Sequence, residues 1–238
     1  MEKLFMKKIL LILLFFISSC AGNWSYSGST GPEHWGELKE DYKFCKIGSN
    51  QSPINLNFPA KDSELNFFYN SAEVEKARAD HNVKFLFDSQ DFMMVRKKKY
   101  YIKKMYFNHP SEHQIDSQQQ VLELSVMHKS DDEQWAILGI FIKIGKENPE
   151  FNKLINLLED NNKKAVVKFN LAKVINPQDK IFFYDGSLTV PPCTEGVKHF
   201  LMKTPIEMSK EQAMKIIKLA LDDKANARPL QKFMPERY

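Results

Sequence analysis

Two segments concentrate the side chains that could do chemistry: Met105-Tyr-Phe-Asn-His-Pro-Ser-Glu-His113 and Glu123-Leu-Ser-Val-Met-His128. Between them they carry three of the six histidines, together with Glu112 and Glu123. Imidazole and carboxylate groups ligate transition metals and move protons, and alternate residues of a strand share a face. The pair reads as two strands whose side chains could hold a metal or move protons. A second chemistry is offered by Arg96-Lys-Lys-Lys-Tyr-Tyr-Ile-Lys-Lys104, six cations in nine residues interleaved with aromatic rings. Arg96, Lys97, Lys98, Lys99, Lys103 and Lys104 would give an electrostatic footprint for an anionic surface, such as a sulfated polysaccharide or lipid headgroups. On a strand these side chains face both ways, so they cannot all form one stripe. Lysines on an edge strand or turn also serve simply to block unwanted pairing.

The elements that must position these groups are mostly strands. Residues 81–87 alternate, 93–104 form a charged strand or hairpin that 106–109 continues, and 121–128 and 136–144 are strand runs, the last apolar enough to lie deep in a sheet. Further strands are expected at 165–169, 181–184 and 197–203. Asn148-Pro149 marks a helix start, with Phe151, Leu154, Ile155 and Leu158 on one face. Ser209 with Gln212 forms a capping box for a second helix to about Leu221, with Ala213, Ile216, Ile217 and Ala220 turned inward. Residues 24–59, rich in Gly, Pro and aromatic side chains, read as a long segment wrapped on a core. Many strands with two separated helices imply a mainly β (α+β) domain with helices at its edges.

At 238 residues, 43% hydrophobic and 27% charged, the chain is long enough for one large domain. Lys3, Lys7 and Lys8 precede the apolar run 9–17, and small residues follow. Residues 1–19 thus read as an export signal, too short to span a membrane. The ending Ile17-Ser-Ser-Cys20 resembles a lipoprotein signal, with Cys20 as the lipid-bearing residue, which implies anchoring at a bacterial cell envelope. Ala21 in place of an aspartate leans towards the outer membrane, facing outward or the periplasm. No repeat or linker interrupts the rest, so residues 20–238 read as a single domain. The signal accounts for two of the four formal positive charges, and overall charge gives no support to nucleic-acid binding. In an oxidising compartment the remaining Cys45 and Cys193 are expected to form one disulfide.

The chain resembles the α-class carbonic anhydrases over nearly its whole length. The motifs are Trp24-Ser-Tyr26, Gly31-Pro-Glu-His-Trp-Gly36, Asn50-Gln-Ser-Pro-Ile-Asn-Leu56, Pro110-Ser-Glu-His113, Leu138-Gly-Ile-Phe141, Gly186-Ser-Leu-Thr-Val-Pro-Pro-Cys193 and Asn226-Ala-Arg-Pro229, in the family's order and spacing. The resemblance implies a twisted, largely antiparallel sheet of about ten strands, with short peripheral helices and a conical pocket running to its centre. Cys45 and Cys193 occupy the positions that secreted members join. Active members hold zinc with three histidines, and the corresponding positions here are Tyr106, Asn108 and Ser125. Amide and alcohol oxygens are poor zinc ligands, and a tyrosine must first shed a proton with a pKa of about 10. Without the metal nothing lowers the pKa of the attacking water from near 16 to about 7.

Other family positions are kept. Thr189 and Glu112 match the hydroxide-orienting relay, and here they are expected as a buried hydrogen-bonded pair. His81 falls at a proton-shuttle position, His113 and His128 at structural ones, and His109 would need a strand slip to reach the pocket. His199 replaces a tryptophan of the apolar wall, while Val126, Met127, Ile137 and Leu188 keep that wall apolar. Lys104 is expected to head inward, where the family often has glutamine. The sequence therefore points to a catalytically inactive carbonic anhydrase-like envelope protein that uses no cofactor and acts by binding or adhesion; it does not identify the partner, for which the basic run suggests an anionic polysaccharide. The alternatives are a zinc-dependent carbonic anhydrase with a rearranged metal site and a metal-free small-molecule binder.

Overall fold

The unbroken apolar runs at the centre of the chain become strands buried on both faces, and the rest of the molecule is assembled outward from them. The computed structural model describes residues 24–79 and 81–232. The expected signal segment 1–19 and the expected lipidation residue Cys20 lie outside the described residues. The strands are β1 Asn55–Leu56, β2 Leu65–Phe68, β3 Ser71–Arg78, β4 Val83–Asp88, β5 Phe92–Val95, β6 Lys98–Asn108 and β7 Gln114–Ile115. They continue with β8 Gln118–Gln119, β9 Leu122–Lys129, β10 Trp135–Ile144, β11 Val166–Asn170, β12 Ile181–Ser187, β13 Glu195–Met202 and β14 Ile206–Met208.

Eleven of these form one sheet, in the order β11-β3-β4-β6-β9-β10-β13-β12, with β14 beside β10 and the β2–β5 pair extending from β6. The pairings are antiparallel except where β10 meets β13 and β14. β9 and β10, the most completely buried strands, lie at its centre. This is the expected mainly β architecture, with one strand more than the estimate. The ambiguous basic segment is a hairpin: β5 and β6 join through Arg96 and Lys97, whose φ values of 46° and 72° supply the left-handed twist of a two-residue turn.

Helices α1 Trp35–Leu38 and α2 Phe44–Ile47 are single turns within the N-terminal wrap. α3 Pro149–Glu159 begins where expected, the Asn148 side chain accepting the Glu150 N–H at 3.0 Å. α4 Lys210–Leu221 opens on the complete Ser209/Gln212 capping box. Gln212 also ties the two helices together, donating to the Asn148 carbonyl at 2.8 Å and to Asn152 Oδ1 at 2.7 Å. In α3 it is Leu157, not Leu158, that is fully buried. Both helices cover one face of the sheet in a core with Phe107, Val126 and Leu138. Val126 therefore belongs to this far core and not to the pocket wall, because it alternates with Ser125 and Met127 along β9.

Cys45 and Cys193 are bonded across a sequence separation of 148 residues. Chain-entropy reasoning for a loop of that length gives a stabilisation of roughly 4–5 kcal/mol. The double substitution Cys45→Ser, Cys193→Ser is expected to lower unfolding free energy by about that amount, read from urea midpoints. An unchanged midpoint would show that the wrap is held by its hydrogen bonds alone.

Candidate functional site

The register of β6 against β9 sets Tyr106 opposite Ser125 and Asn108 opposite Glu123. Tyr106, Asn108 and Ser125 thus gather on one face at the sheet centre, and all three are buried. Asn108 uses both ends of its amide: Nδ2 donates to the Asn226 carbonyl at 3.1 Å, and Oδ1 accepts the Ser125 hydroxyl at 3.4 Å. Asn226 is itself locked, donating to the Phe107 carbonyl at 3.0 Å and accepting the His109 N–H at 2.7 Å. The Tyr106 ring packs with Met127, Ile137 and Val197, with Leu188 and Trp135 beside them. Burial, reinforced by the negative charge of Glu112, pushes the Tyr106 phenol well above its ordinary range, and the nearby Thr189 and Ser125 hydroxyls offset this only in part.

Glu112 is buried, and desolvation together with the Glu123 carboxylate pushes its pKa up to about 8. Its Oε1 accepts the Arg228 backbone N–H at 3.1 Å. The expected Glu112–Thr189 pair is not closed. Thr189 Oγ1 lies near enough to Glu112 to favour its ionised form slightly, yet it meets no partner at hydrogen-bonding geometry. The backbone amide of Arg228 has taken the carboxylate instead. The Arg228 guanidinium donates to Gln51 Oε1, to the Ser52 carbonyl and to the Cys45 carbonyl at 2.9, 2.7 and 3.1 Å, which fastens the C-terminal segment to the N-terminal wrap.

Beneath the three positions runs a buried polar chain. Glu123 accepts the His113 backbone N–H and pairs with His113 Nδ1, both at 2.9 Å. His113 Nε2 meets the Tyr184 hydroxyl at 2.6 Å, and that hydroxyl donates to Ser52 Oγ at 2.8 Å. His199 Nε2 lies 3.1 Å from Ser52 Oγ and 2.8 Å from the Ser187 carbonyl. Its ring stacks on Tyr184, centroids 4.8 Å apart, so the residue in the tryptophan position has joined the polar chain rather than the apolar wall. Burial pushes both His199 and His128 down to about 3, which keeps them neutral. His128 bonds Tyr69 and the Val126 carbonyl. His109 Nδ1 lies 2.9 Å from the Val121 carbonyl, so the strand has not slipped to bring it into the pocket. His81 packs against the N-terminal wrap, its ring 4.0 Å from Trp24 and 5.6 Å from Tyr26.

The six cations of 96–104 divide between the two faces of the hairpin. Arg96 pairs with Glu64 at 2.9 Å, and Lys98 with Asp132 at 2.7 Å and Gln134 at 3.0 Å. Lys99 lies over the Phe92 ring, Lys103 near Tyr101 and Lys104 near Trp135, while Lys97 occupies the turn. Lys104 is half-buried as its family position implies, and burial with the charge of Lys84 lowers its pKa.

This donor set does not fit zinc. The three facing groups are a phenol held protonated, a carboxamide committed at both ends and a hydroxyl already donating. Among the described residues, no three His, Cys, Asp or Glu side chains gather as a metal-binding group.

The broad, mostly antiparallel central sheet with few short helices is the α-carbonic anhydrase fold. The chain belongs to that family: residues 30–236 match the model for eukaryotic-type carbonic anhydrase. A carbonic anhydrase of Nostoc sp. is 32% identical over 220 residues, covering 88% of this chain and 82% of the relative. Dioscorin dioA3 of Dioscorea japonica is 30% identical over 243 residues, covering 94% and 89%. The solved α-carbonic anhydrase of Thermovibrio ammonificans, in complex with the inhibitor sulfanilamide, superposes with a TM-score of 0.81 at 35% identity, covering 88% of this chain and 95% of that one.

Proposed function

We propose that this chain is a catalytically inactive carbonic anhydrase-like protein that works by binding, held at a bacterial cell envelope through a lipid on Cys20. The observation that carries the reading is the trio Tyr106, Asn108 and Ser125: the first is a buried phenol held protonated, and the other two spend their polar atoms on each other and on Asn226. Zinc is accordingly not its cofactor. Bacterial carbonic anhydrases among the relatives, such as that of Klebsiella pneumoniae, are in keeping with a bacterial origin. No helix among the described residues is long and apolar enough to cross a membrane. The partner is an anionic glycan, drawn to the members of the basic segment that no carboxylate neutralises among the described residues, Lys97, Lys99, Lys103 and Lys104.

Metal analysis of the purified protein, with a carbon dioxide hydration assay on the same sample, tests this directly. The expected result is less than stoichiometric zinc and no hydration above buffer. The preserved Glu112, Thr189 and Glu123 frame supports a second reading, a zinc enzyme with a rearranged site; one zinc per chain with hydration activity would establish it in place of the first.

A further inference from the structure

Strand register lines up one side chain from each of five strands in a single row. Phe68 is paired with Phe92, Phe92 with Tyr101, Tyr101 with Lys129, and Lys129 with Trp135. Directly paired residues share a face, so the row crosses β2, β5, β6, β9 and β10, spanning roughly 19 Å at about 4.8 Å per strand step. It lies on the face that carries Tyr106, since Trp135 packs at the edge of the apolar group around that ring. Phe68 and Phe92 stack at 4.6 Å with planes 19° apart, and Phe68 remains 45% exposed. Phe92 and Tyr101 follow at 5.8 Å.

Cations flank the row from Phe92 to Trp135. Lys99 Nζ lies 4.7 Å from the Phe92 ring, Lys103 Nζ 6.0 Å from Tyr101, and Lys104 and Lys129 Nζ at 6.0 and 5.2 Å from Trp135. Among the described residues Lys129 alone of the four meets a carboxylate, that of Glu133. Arg96 and Lys98, the neutralised members of the basic run, are turned to Glu64 and Asp132. An aromatic row broken only by Lys129, with Lys99, Lys103 and Lys104 beside it lacking carboxylate partners among the described residues, asks for a ligand that is extended, flat-faced and acidic.

We propose that this row is a binding track for a linear acidic polysaccharide. Sugar faces stack on Phe68, Phe92, Tyr101 and Trp135, and carboxylate or sulfate groups meet Lys99, Lys103, Lys104 and Lys129. The inference rests on the reading of the chain as a binding protein and names the surface and ligand class. A structural role for the lysines, as cation–π clamps on the sheet, predicts altered stability without altered binding.

The test compares two charge-matched variants, Lys99→Gln/Lys103→Gln on the track and Arg96→Gln/Lys98→Gln off it, in binding to heparin and to polygalacturonate at low and raised salt. The track pair is expected to lose roughly tenfold in affinity for the polymer that binds, and the other pair no more than about twofold. Phe68→Ser/Phe92→Ser, confirmed folded by thermal unfolding, is expected to weaken binding while leaving the salt dependence unchanged. Equal losses from both charge pairs would overturn the track, as would binding to phosphatidylglycerol vesicles but to neither polymer, or no binding by the wild type. Zinc content and hydration measured on the same preparation keep the two readings separate: an active zinc protein that binds polymer through these residues would remove the inactive assignment and leave the track standing.

Discussion

The triple substitution Tyr106→His, Asn108→His and Ser125→His is expected to give a protein that takes up one zinc per chain, where the wild type takes up none. Strand register already turns all three positions to one face, and the Asn226 carbonyl that accepts from Asn108 at 3.1 Å can accept an imidazole N–H from the same position. With zinc at a thousandfold over its dissociation constant, the gain in stability would be about 4 kcal/mol. The metal-free variant should be less stable than the wild type, because two small buried side chains are enlarged, at about 1–3 kcal/mol each. Lys104 opposes the ion from its half-buried place near Trp135. Adding Lys104→Gln should therefore tighten zinc binding by roughly tenfold or more. Metal analysis and thermal unfolding with and without zinc read both effects. A folded triple variant that takes up no zinc would show that the apolar packing around position 106, and not the identity of the three side chains, excludes the metal.

Glu112→Gln is expected to remove the alkaline limb of the stability profile. The Glu112 pKa is about 8 in the folded chain against 4.5 for an ordinary glutamate, so between those values the folded state holds a proton that the unfolded state has released. Its contribution is fully present below pH 4.5 and is lost as pH rises through 8. The sum over that window is on the order of 3–5 kcal/mol. His128 and His199 act in the opposite sense: lowered from 6.5 to about 3, their neutral burial is compatible with folding above 6.5 and becomes a burden as pH falls towards 3. The two limbs meet near about pH 6.5, which is the expected stability maximum of the wild type. In the glutamine variant the acid limb should persist and stability should hold level above the maximum, since an amide oxygen can still accept the Arg228 N–H. Urea midpoints at acidic, neutral and alkaline pH measure this. An unchanged alkaline limb in the variant would place the titration on another group.

How much of this could be read from the sequence differs from element to element. β9, β10, α3 and α4 were legible because local patterns suffice for them: two long apolar runs, an Asn-Pro helix start and a Ser-x-x-Gln capping box. β2 and β3 were not: Leu65–Phe68 takes its strand character from β5, and the charged Ser71–Arg78 shows little apolar pattern of its own until it is held between β4 and the distant β11. The replaced positions 106, 108 and 125 were legible through motif spacing, but the locking of Asn108 by Asn226 and the capture of Glu112 by the Arg228 amide depend on the returning C-terminal segment.

The basic run shows the division most clearly. By itself the sequence determined that six cations lie within nine residues and that alternation must split them between two faces. Only the tertiary structure decided which faces. The Arg96–Lys97 turn and the pairing of β5 with β6 send Lys98 to Asp132 and set Lys99 over Phe92. The row from Phe68 to Trp135 exists only through five-strand register, because side chains up to 67 positions apart become neighbours when hydrogen bonding fixes which residues stand opposite one another.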